Sequence, residues 1–117
     1  MDKNNEHIID AANQSIGRLA SKIATILQGK LHVGYEPRLS GTDSVIVKNA
    51  SKVSVRPRKE TQKIFYHHTG YMGHLKKIPF RTAFKKDATE VLRHAIKMML
   101  PQNRLLEKRL KRLKIEK

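Results

Sequence analysis

Fourteen of the fifteen net positive charges in this 117-residue chain sit in two segments. Residues 52–86 hold ten basic side chains against Glu60 alone, and residues 102–117 hold seven against Glu107 and Glu116. Residues 1–51 carry six bases and five acids, and residues 87–101 carry two of each. Like charges crowded into a compact body repel one another, so the balanced stretches are where a core can form. The chain therefore reads as a single domain, 1–117, with a near-neutral scaffold and basic attachments at 52–86 and 102–117. A net +15 far exceeds the magnitude of about 2–8 that keeps a small domain soluble. The surplus suits a polyphosphate partner, whose counterions are released as cations bind it.

Composition excludes several classes. There is no cysteine, so disulfides and thiolate zinc sites are out. No run approaches the roughly 20 apolar residues of a membrane span. The start, Met1-Asp2-Lys3-Asn4-Asn5-Glu6-His7, lacks the apolar region of a signal peptide and carries acids.

The scaffold can be read locally. His7-Ile8-Ile9-Asp10-Ala11 is an apolar run expected as a buried strand. Ser15 stands where a cap belongs, and Ile16, Leu19, Ala20, Ile23 and Leu27 form one helical stripe ending at Gly29. Ser44–Asn49 is a second strand, and the helix between the two predicts parallel pairing. Lys63–His67 is a third strand candidate. Gly70, Gly73 and Pro79 mark His68 to Phe80 as a long loop, a type that tends to be functional. Asp87-Ala88-Thr89-Glu90 resembles a capping box before the stripe Ala88, Val91, Leu92, Ala95, Ile96 and Met99, which Pro101 ends. From Gln102 the chain looks helical again with a thin apolar face, and Leu113-Lys114-Ile115 suits a short edge strand.

No converging catalytic set is visible. G-x-S-x-G, P-loop and G-x-G-x-x-G patterns are absent. Gly17 stands where a phosphate-binding turn would sit, but tight packing explains a lone glycine as well. Asp10, Asp43, Asp87 and Glu90 fit ordinary roles at strand ends and helix caps. His67, His68 and His74 cluster, yet neighbours on a strand point to opposite faces and do not easily share a metal. Contact with RNA, polar or stacked, is the better reading of them. The same loop mixes Tyr66 and Tyr71 with His68, His74, Lys76, Lys77 and Arg81 around glycines, which admit close approach of a phosphate backbone. Phe65 reads as core. The C-terminal run is expected to dock on the second helix and present Arg104, Lys108, Arg109, Lys111 and Arg112 to RNA. An anionic membrane is the weaker partner for it, since its apolar face has neither Trp nor Phe.

Four stretches together resemble the universal large-subunit ribosomal protein 13 family. They are Ile8-Ile9-Asp10-Ala11 with Gly17-Arg18-Leu19-Ala20-Ser21 and Gly29-Lys30; Val45-Ile46-Val47-Lys48-Asn49-Ala50; Tyr66-His67-His68-Thr69-Gly70 running on to Gly73 and Leu75-Lys76; and Ala95-Ile96-Lys97-Met98-Met99-Leu100-Pro101 with Arg104-Leu105. The chain departs from the family at Ser40-Gly41-Thr42-Asp43, at Lys48 and at Leu106, and resembles a shortened bacterial-type member.

The resemblance implies an α/β fold, a three-layer α/β/α arrangement around a small, mainly parallel four-stranded sheet, with a basic loop and C-terminal extension. It implies a structural, non-catalytic protein of the cytoplasmic large subunit that binds 23S-type ribosomal RNA and supports early assembly. The RNA-facing residues it implies are Arg18, Lys22 and Lys30; Tyr66, His68, Thr69, Gly70, His74, Lys76, Lys77 and Arg81; and the basic run after Pro101. Expected partners are that RNA and neighbouring large-subunit proteins. No cofactor, metal, small-molecule substrate or membrane is expected, and the chain is expected not to be a homo-oligomer. Two rival readings remain: a small hydrolase using the loop histidines, and a non-specific basic nucleic-acid-coating protein.

Overall fold

The structure, a computed structural model, describes residues 5–73 and 75–117. Its first unit is a strand, a helix and a parallel strand: β1 (Glu6–Asp10), α1 (Ile16–Gln28) and β2 (Ser44–Lys48). Ser15 has extended backbone, and its Oγ accepts the Arg18 N–H at 3.4 Å. That satisfies one donor orphaned at the helix start. Gly29 ends α1 in the left-handed region at φ 79°; its N–H bonds the Ile26 carbonyl and the Lys30 N–H bonds the Thr25 carbonyl. This pair of bonds is the Schellman closure that a glycine without a Cβ allows. Alternation then sorts the strands: Ile9, Val45 and Val47 are buried, while Lys48 faces water.

The chain returns to this sheet only at its end. After a single 3-10 turn (Ala50–Lys52) come α2 (Pro57–Gln62), β3 (Ile64–His68), β4 (Leu75–Pro79), α3 (Phe80–Lys86), α4 (Ala88–Met99), α5 (Leu106–Lys111) and β5 (Leu113–Ile115). β5 pairs parallel with β2, so the strand order is β1-β2-β5. α1 lies between β2 and α4 and is the largest single contributor to the core: Leu19, Ile23 and Leu27 meet Val91, Leu92 and Ile96 in one buried cluster. The Asp87 carboxylate caps α4 by accepting the Thr89 N–H at 3.0 Å.

The α/β class and the parallel pairing are as expected, with three differences. The parallel sheet has three strands, not four, because β3 pairs antiparallel with β4 in a separate hairpin. The few residues between them suffice for a hairpin, whereas parallel pairing needs a long crossover. The stretch expected as one loop therefore contains a strand and the start of α3. Its glycines mark only the tip, where Gly70 (φ 89°) and Gly73 (φ 75°) turn the chain. Pro57 opens α2, since its missing N–H is harmless at a first helical position. β1 is less buried than its apolar run suggested; Ile8 is 64% exposed on the outer face of the sheet.

Candidate nucleic-acid interface

The β3–β4 hairpin forms an exposed arm. Every residue of β4 is exposed, and in β3 only Phe65 is half-buried. Register fixes what each face carries. Tyr66 lies opposite Lys77 and His68 opposite Leu75 on one face; Phe65 lies opposite Ile78 and His67 opposite Lys76 on the other. The consecutive Lys76 and Lys77 therefore serve both faces, and so do His67 and His68. At the tip, His68 Nδ1 accepts the Gly70 N–H at 2.9 Å, which fixes that ring beside the turn. Thr69 and Gly70 are exposed there; His74 lies outside the described residues.

An aromatic extension of the core anchors the arm. The Phe80 ring is buried and stacks on Phe65 (centroids 6.0 Å) and Phe84 (5.7 Å). Phe65 also meets His94 of α4 edge-on at 5.5 Å. Phe65 is thus a packing residue, as read from the sequence. Arg81, in the first turn of α3, sits 3.5 Å from the Glu60 carboxylate of α2. Both side chains are largely exposed, so this pair constrains Arg81 only weakly.

The remaining candidates fall in two groups. Arg18 and Lys22 are exposed one turn apart on α1, and Lys30 is exposed beyond its far end, roughly 18 Å from Arg18 along the axis. Arg104, Lys108 and Lys111 are exposed near the C-terminus. Arg109 and Arg112 do not join them, which corrects the expectation that they face RNA. Arg109 is 2% exposed, and its Nη2 donates to the Leu39 carbonyl at 3.2 Å. Arg112 donates to three carbonyls, those of Leu27, Ser40 and Asp43. The apolar face of α5 is thin, so packing it turns these two arginines inward, where loop carbonyls and the C-terminal end of α1 receive them. Burial and the neighbouring Arg109 both pull the Arg112 pKa down, and Asp43 partly restores it.

Asp43, read as an ordinary strand-end acid, holds the same region together. It is 1% exposed, and its two oxygens accept His7 Nε2 at 3.0 Å and His32 Nε2 at 2.8 Å. Burial pushes its carboxyl up, but the hydrogen bonds from His32 and His7 outweigh this and hold it below the usual carboxylate range. Beside it, Gly41 adopts φ 80°, and a Cβ there would lie 3.3 Å from the Leu27 carbonyl. Among the described residues, no Lys or Arg lines the open hollow of about 570 Å³ between the end of α1 and residues 32–42.

The sequence reading missed two cations that the fold brings to the root of the arm. Lys59 and Lys63 are one turn apart at the end of α2, and Lys63 Nζ sits 5.3 Å from the centre of the Phe65 ring. Burial, then repulsion from Lys59, lowers the Lys63 pKa. A helical reading of residues 57–62 would have put the two on one face.

Scaffold and surface together define a class: a small α/β protein whose neutral core carries a projecting basic arm, suited to a polyanion. The Ribosomal protein L13 family model matches residues 4–116. Large ribosomal subunit protein uL13 of Chloroflexus aggregans is 44% identical over 109 residues, covering 93% of this chain and 76% of that protein. The Chlamydia pneumoniae uL13 is 42% identical over 111 residues, covering 95% and 74%, and that of Clostridioides difficile is 40% identical over 109, covering 93% and 76%. The chain belongs to the uL13 family of structural, non-enzymatic large-subunit ribosomal proteins, which in bacteria reside in the cytoplasm.

Proposed function

We propose that this chain is a structural constituent of the large ribosomal subunit that binds 23S-type rRNA and supports early subunit assembly. The observation that carries this reading is the arm. It exposes lysines on both faces, a ring (Tyr66) on one of them, and glycines at a tip that allow close backbone approach. The contacts we assign are Arg18, Lys22 and Lys30 on and beyond α1; Tyr66, His68, Thr69, Gly70, Lys76, Lys77 and Arg81 on and beside the arm; Arg104, Lys108 and Lys111 near the C-terminus; and, from the sequence alone, His74. Arg109 and Arg112 act instead as internal ties. Neighbouring large-subunit proteins are the other partners, and the chain enters the subunit as a single copy.

Competitive binding tests this. The purified chain should prefer a large-subunit rRNA transcript over unrelated structured RNA of equal length at near-physiological salt. Equal affinity would instead describe a coating protein. Replacing Lys76, Lys77 and Arg81 together by Ala should weaken binding and reduce the slope of log affinity against log salt by about 2 to 3. An unchanged slope would remove the arm from the interface.

A further inference from the structure

A groove of about 270 Å³ opens where the arm joins the body. Its floor is apolar, made by buried Ile16, Phe80 and Val91, and its walls are the rings of Phe65 and His94. Met98 (64% exposed) and Met99 (42%) stand at its edge, and Lys59 and Lys63 line it as well. No acid lines it. Lys59 and Lys63 are like charges one helical turn apart, and neither has a carboxylate partner among the described residues; Glu60, between them, is turned to Arg81. Such a pair is destabilising until an anion sits against it.

We propose that this groove receives one unstacked base of the bound RNA, with an adjoining phosphate held by Lys59 and Lys63. The proposal rests on the RNA-binding reading above and adds a site to it. The volume lies just below that of pockets for drug-sized ligands, which suits one base and not a stack of them. Aromatic, imidazole and thioether groups offer soft surfaces to a base face, and few hydrogen-bonding groups line the site. The site therefore takes a base by stacking, with little regard to which base it is. The route is short. Phe65 faces the groove while the adjacent Tyr66 faces the opposite side of the arm, so RNA lying along β3 passes the groove's mouth. An apolar protein side chain would fill the floor but leave the two lysines unneutralised.

Gly17 gives a clean probe. It lines the groove, and a Cβ built on it meets nothing within 4 Å. Gly17→Leu therefore plugs the site while improving helix propensity, so the scaffold should melt no lower than the parent. Against a large-subunit rRNA transcript, Gly17→Leu should weaken binding about tenfold with an unchanged salt slope, the signature of one lost stacking contact. Lys59→Gln with Lys63→Gln should weaken it and flatten the slope. Ultraviolet cross-linking of the parent complex should leave an RNA adduct on Phe65 or within residues 94–99. Parent-like affinity for Gly17→Leu, while the Lys76, Lys77 and Arg81 triple variant is weakened, overturns the groove and leaves the arm intact. Adducts confined to Tyr66 and Tyr71 overturn it too. If no variant weakens binding, the RNA-binding reading itself falls.

Discussion

At the scale of single residues, the loop between α1 and β2 depends on two charges, buried Asp43 and half-buried Arg112. Arg112 satisfies three carbonyls, and removing it leaves them without that donor. Arg112→Ala should cost about 2–3 kcal/mol by chemical denaturation, the upper range for leaving hydrogen-bond acceptors unmet. Arg109 differs. Its Nε is buried without a hydrogen-bond partner among the described residues. A methionine of similar length would remove that unmet donor, so Arg109→Met should shift stability by less than about 1.5 kcal/mol. Equal losses in the two variants would contradict this division of roles. Asp43 adds a pH dependence. Its carboxyl is held below its ordinary value in the fold, so the unfolded chain binds the proton more readily. The stability it contributes is present above the ordinary carboxylate value, near 4, and is lost as pH falls through the lower folded value. Asp43→Asn should be less stable than the parent at neutral pH, and the gap should narrow on acidification. A constant gap would show that the carboxylate charge is not what the histidines recognise.

Among elements, the best-read ones were those whose signal is local and repeated. α1 and α4 each have a polar cap and an apolar stripe, and β1 and β2 each have a short apolar core, so periodicity was enough to find them. The missed elements are short and draw their stability from elsewhere. α2 buries none of its residues, and β4 is exposed along its whole length, so neither shows a period to read. β4 exists because β3 offers it a partner, and pairing is invisible in a window of one strand. α3 did carry a signal, Phe80, Ala83 and Phe84 at helical spacing, but the prolines and glycines before it masked the pattern. The site was legible to the same degree. The basic segments gave its location, while the inward turn of Arg109 and Arg112 needed tertiary packing to appear. Phe80 is the element-scale hinge point, since it joins β3, α3 and the main core in one cluster. Phe80→Ala should cost about 3–5 kcal/mol. Amide hydrogen exchange should rise most in the β3–β4 arm and less in α1; uniform loss of protection would show that the arm has no separate anchor.

For the whole molecule, shape and charge tell one story. The radius of gyration is 15.7 Å, against about 13 Å expected for a compact chain of this length. The body is 51 × 35 × 19 Å, extended and thin. An elongated form keeps its cations apart, but a net +15 still opposes compaction. The melting temperature of the free chain should therefore rise as salt increases from low to moderate ionic strength and rise further with rRNA. A melting temperature indifferent to both would mean that repulsion does not limit stability.

The Arg112 contacts also set a schedule. Its partners lie 69, 72 and 85 residues earlier in the chain. A polypeptide leaves its synthesising ribosome from the N-terminus, so the loop after α1 emerges long before the guanidinium that fastens it. The loop's final geometry becomes available only after residue 112 has been made. Until then, the first strand, the first helix and their loop form a nascent half without its clasp.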